Sequence, residues 1–260
     1  MNQSFCYWSI ATGNYSQLLT ALVASARAVG VTEDFHVWTD HPVPNAVCHP
    51  AGHFDNWGWL FKLVFLRDEV AKLDYDFFVF LDADSWFVRQ PENPSRWIQD
   101  TPIHLTLGAD LTRADSHTHW WEYAAETHIA LMRSAGVRHR PIYSVNAGMF
   151  IVRRDAIPLV YSLACQYWSL CHRHGVLCVD EPVLAYVAQR LCPDPIPHTL
   201  GATHDFWAID GNGVFAKRLP EGRPFRFRGF LNQYDLELNP AIVHLVRGKN
   251  PMLEYAQSLT

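Results

Sequence analysis

Apolar residues follow two rhythms along the chain. Phe5 to Ala11 is a β-rich run, Thr12-Gly13-Asn14 is turn chemistry, and Ser16 to Val29 then sets Leu18, Leu19, Leu22, Val23 and Ala26 at helical spacing before Gly30 stops it. Phe35 to Trp38 resumes as a strand. After a connection carrying Pro42, Pro44 and Pro50, the stretch Trp59 to Val70 has helical periodicity, with Leu60, Leu63 and Val64 on its apolar face. Phe77 to Leu81 is different, because it is apolar without alternation. A strand covered on both faces reads that way, as in a parallel sheet sandwiched between helices. Further strands are expected at Ile103 to Leu107 and Ala147 to Arg153. Helices are expected at Trp120 to Ser134, Ala156 to Cys171 with Pro158 in its first turn, and Asp180 to Gln189. From Pro193 onward Pro, Gly and aromatic residues dominate, with short strands at Phe225 to Phe230 and Ile242 to Val246.

This order predicts an α/β fold: a mostly parallel, Rossmann-like sheet flanked by helices. No repeat or linker divides the 260 residues, so one domain over 1–260 is expected. With 49% hydrophobic and 18% charged residues the chain is not disordered, and a net charge of -5 removes a general grip on polyanions. The longest apolar run is far short of the ~20 residues of a membrane span. The first residues lack a basic segment, an apolar stretch and a cleavage site, so a cytoplasmic protein with no membrane span is expected. The cysteines Cys6, Cys48, Cys165, Cys171, Cys178 and Cys192 form neither a CxxC pair nor a dense disulfide framework. Cys171-His172-Arg173-His174 with Cys178 lacks the paired spacing of a structural zinc site.

Chemistry concentrates after the buried strand, in Leu81-Asp82-Ala83-Asp84-Ser85. Two carboxylates one residue apart at the carboxyl end of such a strand can both face the crevice where open α/β sheets bind ligands. Hard anionic oxygens there suit Mg²⁺ or Mn²⁺, which would neutralise a diphosphate. A second Asp-x-Asp, Asp74-Tyr75-Asp76, precedes the strand and reads as a solvated turn.

Phe61 to Val88, with Lys62 some twenty residues before Leu-Asp-Ala-Asp, resembles the donor-binding core of GT-A glycosyltransferases. The likeness is to glycosyltransferase family 8, the glycogenin and bacterial galactosyltransferase group, and it extends at low identity from Phe5 to about Lys249. The resemblance implies that the turn Ala11 to Tyr15, with Thr12 and Asn14, contacts uridine and that Tyr15 stacks the base. It implies metal binding by Asp82, Asp84 and His244, with Ala83 between the carboxylates in the donor site. Asn146-Ala147-Gly148 would lie near the donor sugar and acceptor, Gly148 letting a ligand approach the backbone. Asp180 and Glu181 match the family's Asp-Gln pair beside the reacting carbon. A retaining hexosyl transfer from a UDP-sugar to a glycan or other hydroxyl acceptor follows. Residues 1–110 would form the nucleotide and metal half, and 111–260 the acceptor half.

Departures from the family keep alternatives open. Glu181 replaces its glutamine, and a second carboxylate there suits a nucleophile or a general base. The C-terminal motif, Val243 to Lys249, is one residue shorter, so Arg247 competes with Lys249 for the phosphate. Lys62 either joins that phosphate end or pairs with a site carboxylate. Trp120 and Trp121 are candidate sugar platforms or core residues. The cluster Lys217, Arg218, Arg223, Arg226 and Arg228 reads as a solvated face, with an anionic acceptor such as nucleic acid as its alternative. A non-catalytic sugar-nucleotide or glycan binder of the same fold, a nucleotidyltransferase, and a glycosyltransferase acting on a modified nucleic-acid base are the rival readings. The turn 12–15 has one glycine and no basic residue, unlike the Gly-rich basic loop a nucleotidyltransferase would carry.

Overall fold

A computed structural model describes residues 3–52, 60–99, 101–113, 119–120, 123–138, 141–192, 206–209, 227–231, 234–238, 240–246 and 249–258. Strand β1 (Phe5–Ala11) leads through a single 3₁₀ turn to helix α1 (Ser16–Ala28), then to β2 (Phe35–Thr39) and β3 (Val47–Pro50). Helix α2 (Phe61–Asp68), β4 (Phe77–Leu81), β5 (Ser85–Phe87) and β6 (Ile103–Asp110) follow, then β7 (His119–Trp120), β8 (Tyr123–Ala124) and α3 (Ala125–Ser134). The remainder is β9 (Tyr143–Arg153), α4 (Ile157–Arg173), α5 (Asp180–Leu191), β10 (Trp207–Ile209), β11 (Phe227–Leu231), β12 (Tyr234–Leu238), β13 (Ile242–His244) and α6 (Asn250–Ser258).

Six strands form the main sheet in the order β3-β2-β1-β4-β9-β6. β9 alone runs against its neighbours, pairing antiparallel with both β4 and β6. The unbroken apolar run of β4 is explained by its place between β1 and β9. All five of its side chains are buried, and they divide between two cores. Phe78 and Phe80 join Trp8, Phe150 and the apolar faces of α2, α3, α4 and α5. Phe77, Val79 and Leu81 join α1, α6 and the inner faces of β5, β10 and β13. Full burial of each such side chain contributes on the order of 1.5–3 kcal/mol, so β4 anchors both layers. α1 ends where Gly30 takes φ 89° and Val31 N–H reaches back to Ala26 C=O at 3.0 Å.

The helix expected from Trp120 begins instead at Ala125, because His119 and Trp120 pair with Ala124 and Tyr123 as a small hairpin. Aromatic residues favour that extended pairing. β3 and β5 were not foreseen. β5 pairs antiparallel with β13, and β13 pairs parallel with β10, in a second three-stranded sheet. Expected features at Trp59, Trp121 and 217–226 lie outside the described residues, as does the side chain of Arg228 in the β11–β12 hairpin. No helix among the described residues is long and apolar enough to cross a membrane.

Candidate active site

The carboxyl ends of the adjacent parallel strands β1 and β4 open side by side. β1 delivers the turn Thr12 to Tyr15, in which Gly13 adopts φ 58° and Tyr15 is 54% exposed. Its Gly13 N–H donates to Asp40 Oδ2 at 2.8 Å, a bond that holds the Asp40 carboxyl below its ordinary pKa. Asp40 stands just past the carboxyl end of β2, as Asp82 stands past β4. It was not among the expected site residues, although its position after a strand was the available signal.

β4 ends in a tight turn, with Asp82 N–H donating to Gly148 C=O at 2.8 Å and Ser85 N–H to Asp82 C=O at 3.0 Å. Asp82, Ala83 and Asp84 occupy that turn, and β5 then pairs Ser85 with His244. The second sheet thereby carries an imidazole to carboxylates 160 residues away. His244 Nε2 lies 3.0 Å from Asp84 Oδ1 and 3.7 Å from Asp82 Oδ2. One ligand atom from each of the three residues falls within 4.8 Å of the others, the single such group of three among the described residues. The two carboxylate oxygens suit Mn²⁺ or Mg²⁺, and the imidazole nitrogen favours Mn²⁺ of the two, so the residues present fit a divalent ion of this kind.

Gly148 makes this geometry accessible. A Cβ on Gly148 would stand 2.5 Å from His244 Nδ1 and 2.6 Å from its Cε1. The neighbour that closes on this backbone is the His244 imidazole, and a Cβ would also stand 2.8 Å from Asn146 Oδ1. Gly148→Ala is therefore expected to displace His244 and weaken Mn²⁺ binding at least about tenfold, with an overpacking cost of about 1–3 kcal/mol. Calorimetric titration with Mn²⁺ reads this directly, and unchanged affinity would remove His244 from the ligand set.

Two ammonium groups neutralise the carboxylates. Lys62, buried in α2, sits 2.9 Å from Asp82 Oδ1 and 2.8 Å from Asp180 Oδ2, and donates to Ala147 C=O at 3.2 Å. Burial opposes its charge, but Asp82 and Asp180 outweigh burial and hold its pKa above the ordinary lysine value. Of the two roles open to Lys62, pairing with site carboxylates is the one that the structure displays. Lys249, at the start of α6, reaches Asp84 Oδ2 at 2.7 Å and stands 4.8 Å from the ring centroid of Tyr15. Burial also works against ionisation of Asp84, yet His244 and Lys249 keep its carboxyl below the usual range.

The same network continues into α5. Asp180 and Glu181 open this helix, where acidic groups favour the N-terminus, and Glu181 N–H donates to Asp180 Oδ1 at 3.0 Å. Asn146 on β9 donates from Nδ2 to Glu181 Oε1 at 2.9 Å, while its Oδ1 accepts from Gly148 N–H at 2.8 Å. Trp120 Nε1 donates to Glu181 Oε2 at 3.3 Å. Contacts thus join Tyr15, Lys249, Asp84, His244, Asp82, Lys62, Asp180, Glu181, Asn146 and Gly148, whereas Thr12 and Asn14 lie in the turn that carries Tyr15 and Arg247 lies outside the described residues. Asp74 and Asp76, by contrast, bind Arg154 and Ser4 on the surface.

No protein-family profile and no curated protein matches the sequence. The solved structures it resembles include galactosyltransferase LgtC in complex with donor and acceptor sugar analogues, at TM-score 0.57 and 14% identity over 98% of this chain and 96% of that one. An active-site variant of LgtC with glutamate in place of glutamine aligns at TM-score 0.54 and 15% identity, over 97% and 95% of the two chains. This protein has the GT-A fold of those galactosyltransferase structures.

Proposed function

We propose that the protein is a metal-dependent glycosyltransferase that moves a hexose from a UDP-sugar to a glycan or other hydroxyl acceptor with retention. The observation that carries this reading is the cluster of Asp82, Asp84 and His244 at the carboxyl ends of β1 and β4, beside the exposed ring of Tyr15. The likeness to galactosyltransferase structures supports the same reading. Mn²⁺ or Mg²⁺ held by Asp82, Asp84 and His244 would supply a positive charge for the diphosphate.

Tyr15 offers its face to uracil, with Thr12, Asn14 and Ala83 around the nucleoside. Lys249, or Arg247 in its place, meets phosphate oxygens and stabilises the charge that builds on the leaving group. Lys62 holds Asp82 and Asp180 in place. Asp180, Glu181 and Asn146 surround the sugar carbon C1. The bond from C1 to the phosphate oxygen breaks with its electron pair going to UDP, and the acceptor oxygen bonds C1 on the same face. The acceptor's proton passes to the departing phosphate oxygen, so atoms and charge balance and configuration is kept.

A thermal-shift titration with UDP and GDP, each with and without Mn²⁺, tests this reading. Ligand at a hundredfold excess over Kd adds about 2.7 kcal/mol to the folded state, roughly 5–10 °C in Tm for a chain of this size. UDP with Mn²⁺ is expected to give that shift and GDP a smaller one. No shift with any nucleotide under either condition would overturn the donor site.

A further inference from the structure

Both oxygens of Glu181 face N–H donors, Asn146 Nδ2 at 2.9 Å and Trp120 Nε1 at 3.3 Å. Neither donor turns away freely. Flipping the Asn146 amide would set its NH₂ against Gly148 N–H, which now donates to Oδ1 at 2.8 Å. Trp120 offers a donor and no acceptor, and its ring is 7% exposed. The indole packs at 65° against His128 on α3, with ring centroids 5.4 Å apart. His128 Nδ1 lies 3.3 Å from the Tyr167 hydroxyl on α4, and the Tyr167 ring stacks at 4.6 Å on Tyr186, further along the helix that Glu181 opens. The indole N–H is thus aimed by three helices, and its buried ring is no platform for a sugar.

A carboxylate accepts at both oxygens, whereas glutamine accepts at one and would point N–H at a donor with the other. We infer that Trp120 is a positioning residue for glycosyl transfer: its indole N–H, with the Asn146 amide, demands a carboxylate at position 181 and fixes that negative charge beside the reacting carbon. Positive charge grows on that carbon as the bond to UDP lengthens. A negative charge held in advance stabilises it without reorganisation. Glutamate in place of the family's glutamine and Trp120 as a donor are therefore one coupled feature. This inference rests on the proposed glycosyl transfer for its catalytic half, while the pairing of residues 120 and 181 stands on geometry alone.

The test uses the full chain with Trp120→Phe, Glu181→Gln and the double variant. UDP release from UDP-glucose and UDP-galactose with Mn²⁺ gives kcat and KM, and ligand-free melting gives Tm. Trp120→Phe is expected to lower kcat about 10- to 100-fold with donor KM within about twofold, because the carboxylate loses its aim and the donor site is untouched. Trp120→His, which keeps a ring N–H, is expected to recover part of that loss. Glu181→Gln is expected to lower Tm by about 3 °C alone and by much less beside Trp120→Phe, where the opposed N–H is gone. An unchanged kcat in Trp120→Phe, or the same Tm cost of Glu181→Gln in both backgrounds, overturns the positioning role. A wild-type protein that shows no UDP shift and releases no UDP overturns the transfer reading instead, and the melting cycle still decides whether residues 120 and 181 are coupled.

Discussion

Asp84→Asn is expected to abolish the Mn²⁺-dependent stabilisation by UDP and to lower kcat/KM by about a thousandfold or more, while Tm without ligand changes by little. On the proposed reading several kcal/mol of charge stabilisation at the leaving group would depend on an ion that this carboxylate holds, and each 1.36 kcal/mol is tenfold in rate. The fold tolerates the change because neither partner is stranded. Lys249 has about a third of its side chain in solvent and can turn to water, and His244 can lose its proton. Asparagine keeps an oxygen for either one. Melting curves with and without UDP and Mn²⁺, beside UDP release from a donor, separate the two effects. A variant that retains most of its turnover would sink the metal assignment.

Local rules made the central fold legible. The unbroken apolar run at β4 announced a strand buried on both faces, and Gly30 marked the end of α1 within a residue. Pairing over long distances was not legible. Nothing in Ser85-Trp86-Phe87 distinguishes a loop from β5, because its partner, Ile242 to His244, is more than 150 residues away and supplies the hydrogen bonds that make it a strand. The aromatic residues before α3 failed for a related reason, since a two-residue hairpin has no period to read.

The site shows the same division. Asp82 and Asp84 were visible because charge following a buried strand is costly without a partner. His244 entered through family resemblance, and its agreement with the geometry depends on Gly148, whose missing Cβ leaves room for the ring. Trp120 reads from the sequence as a sugar platform or a core residue, but its N–H bond to Glu181 depends on a hairpin that the sequence does not suggest. The nearest sequence signal was Glu181 itself, a carboxylate where the family that the sequence resembles has an amide.

Lys62→Met is expected to have the largest effect on stability. Methionine has nearly the same length and no charge, so Asp82 and Asp180 lose their shared counter-ion and Ala147 C=O loses its donor. Breaking a buried ion pair from one side costs about 3–5 kcal/mol, because the remaining charge is buried without compensation, and this corresponds to a Tm lowered by about 10 °C. The contrast with Asp84→Asn follows from exposure: Lys249 can reach water, whereas Asp180 is 7% exposed and cannot. Asp82 is about a quarter exposed and keeps His244 at 3.7 Å, so Lys62→Met/Asp180→Asn removes the more deeply stranded charge and is expected to regain more than half of the lost Tm. The experiment also decides between the two roles that the sequence left open. A lysine whose task was to bind phosphate would leave ligand-free melting unchanged on replacement and weaken only UDP binding. A lysine that ties β4 to α5 must lower the Tm of the ligand-free protein, and the partial recovery by Asp180→Asn identifies the carboxylate it holds.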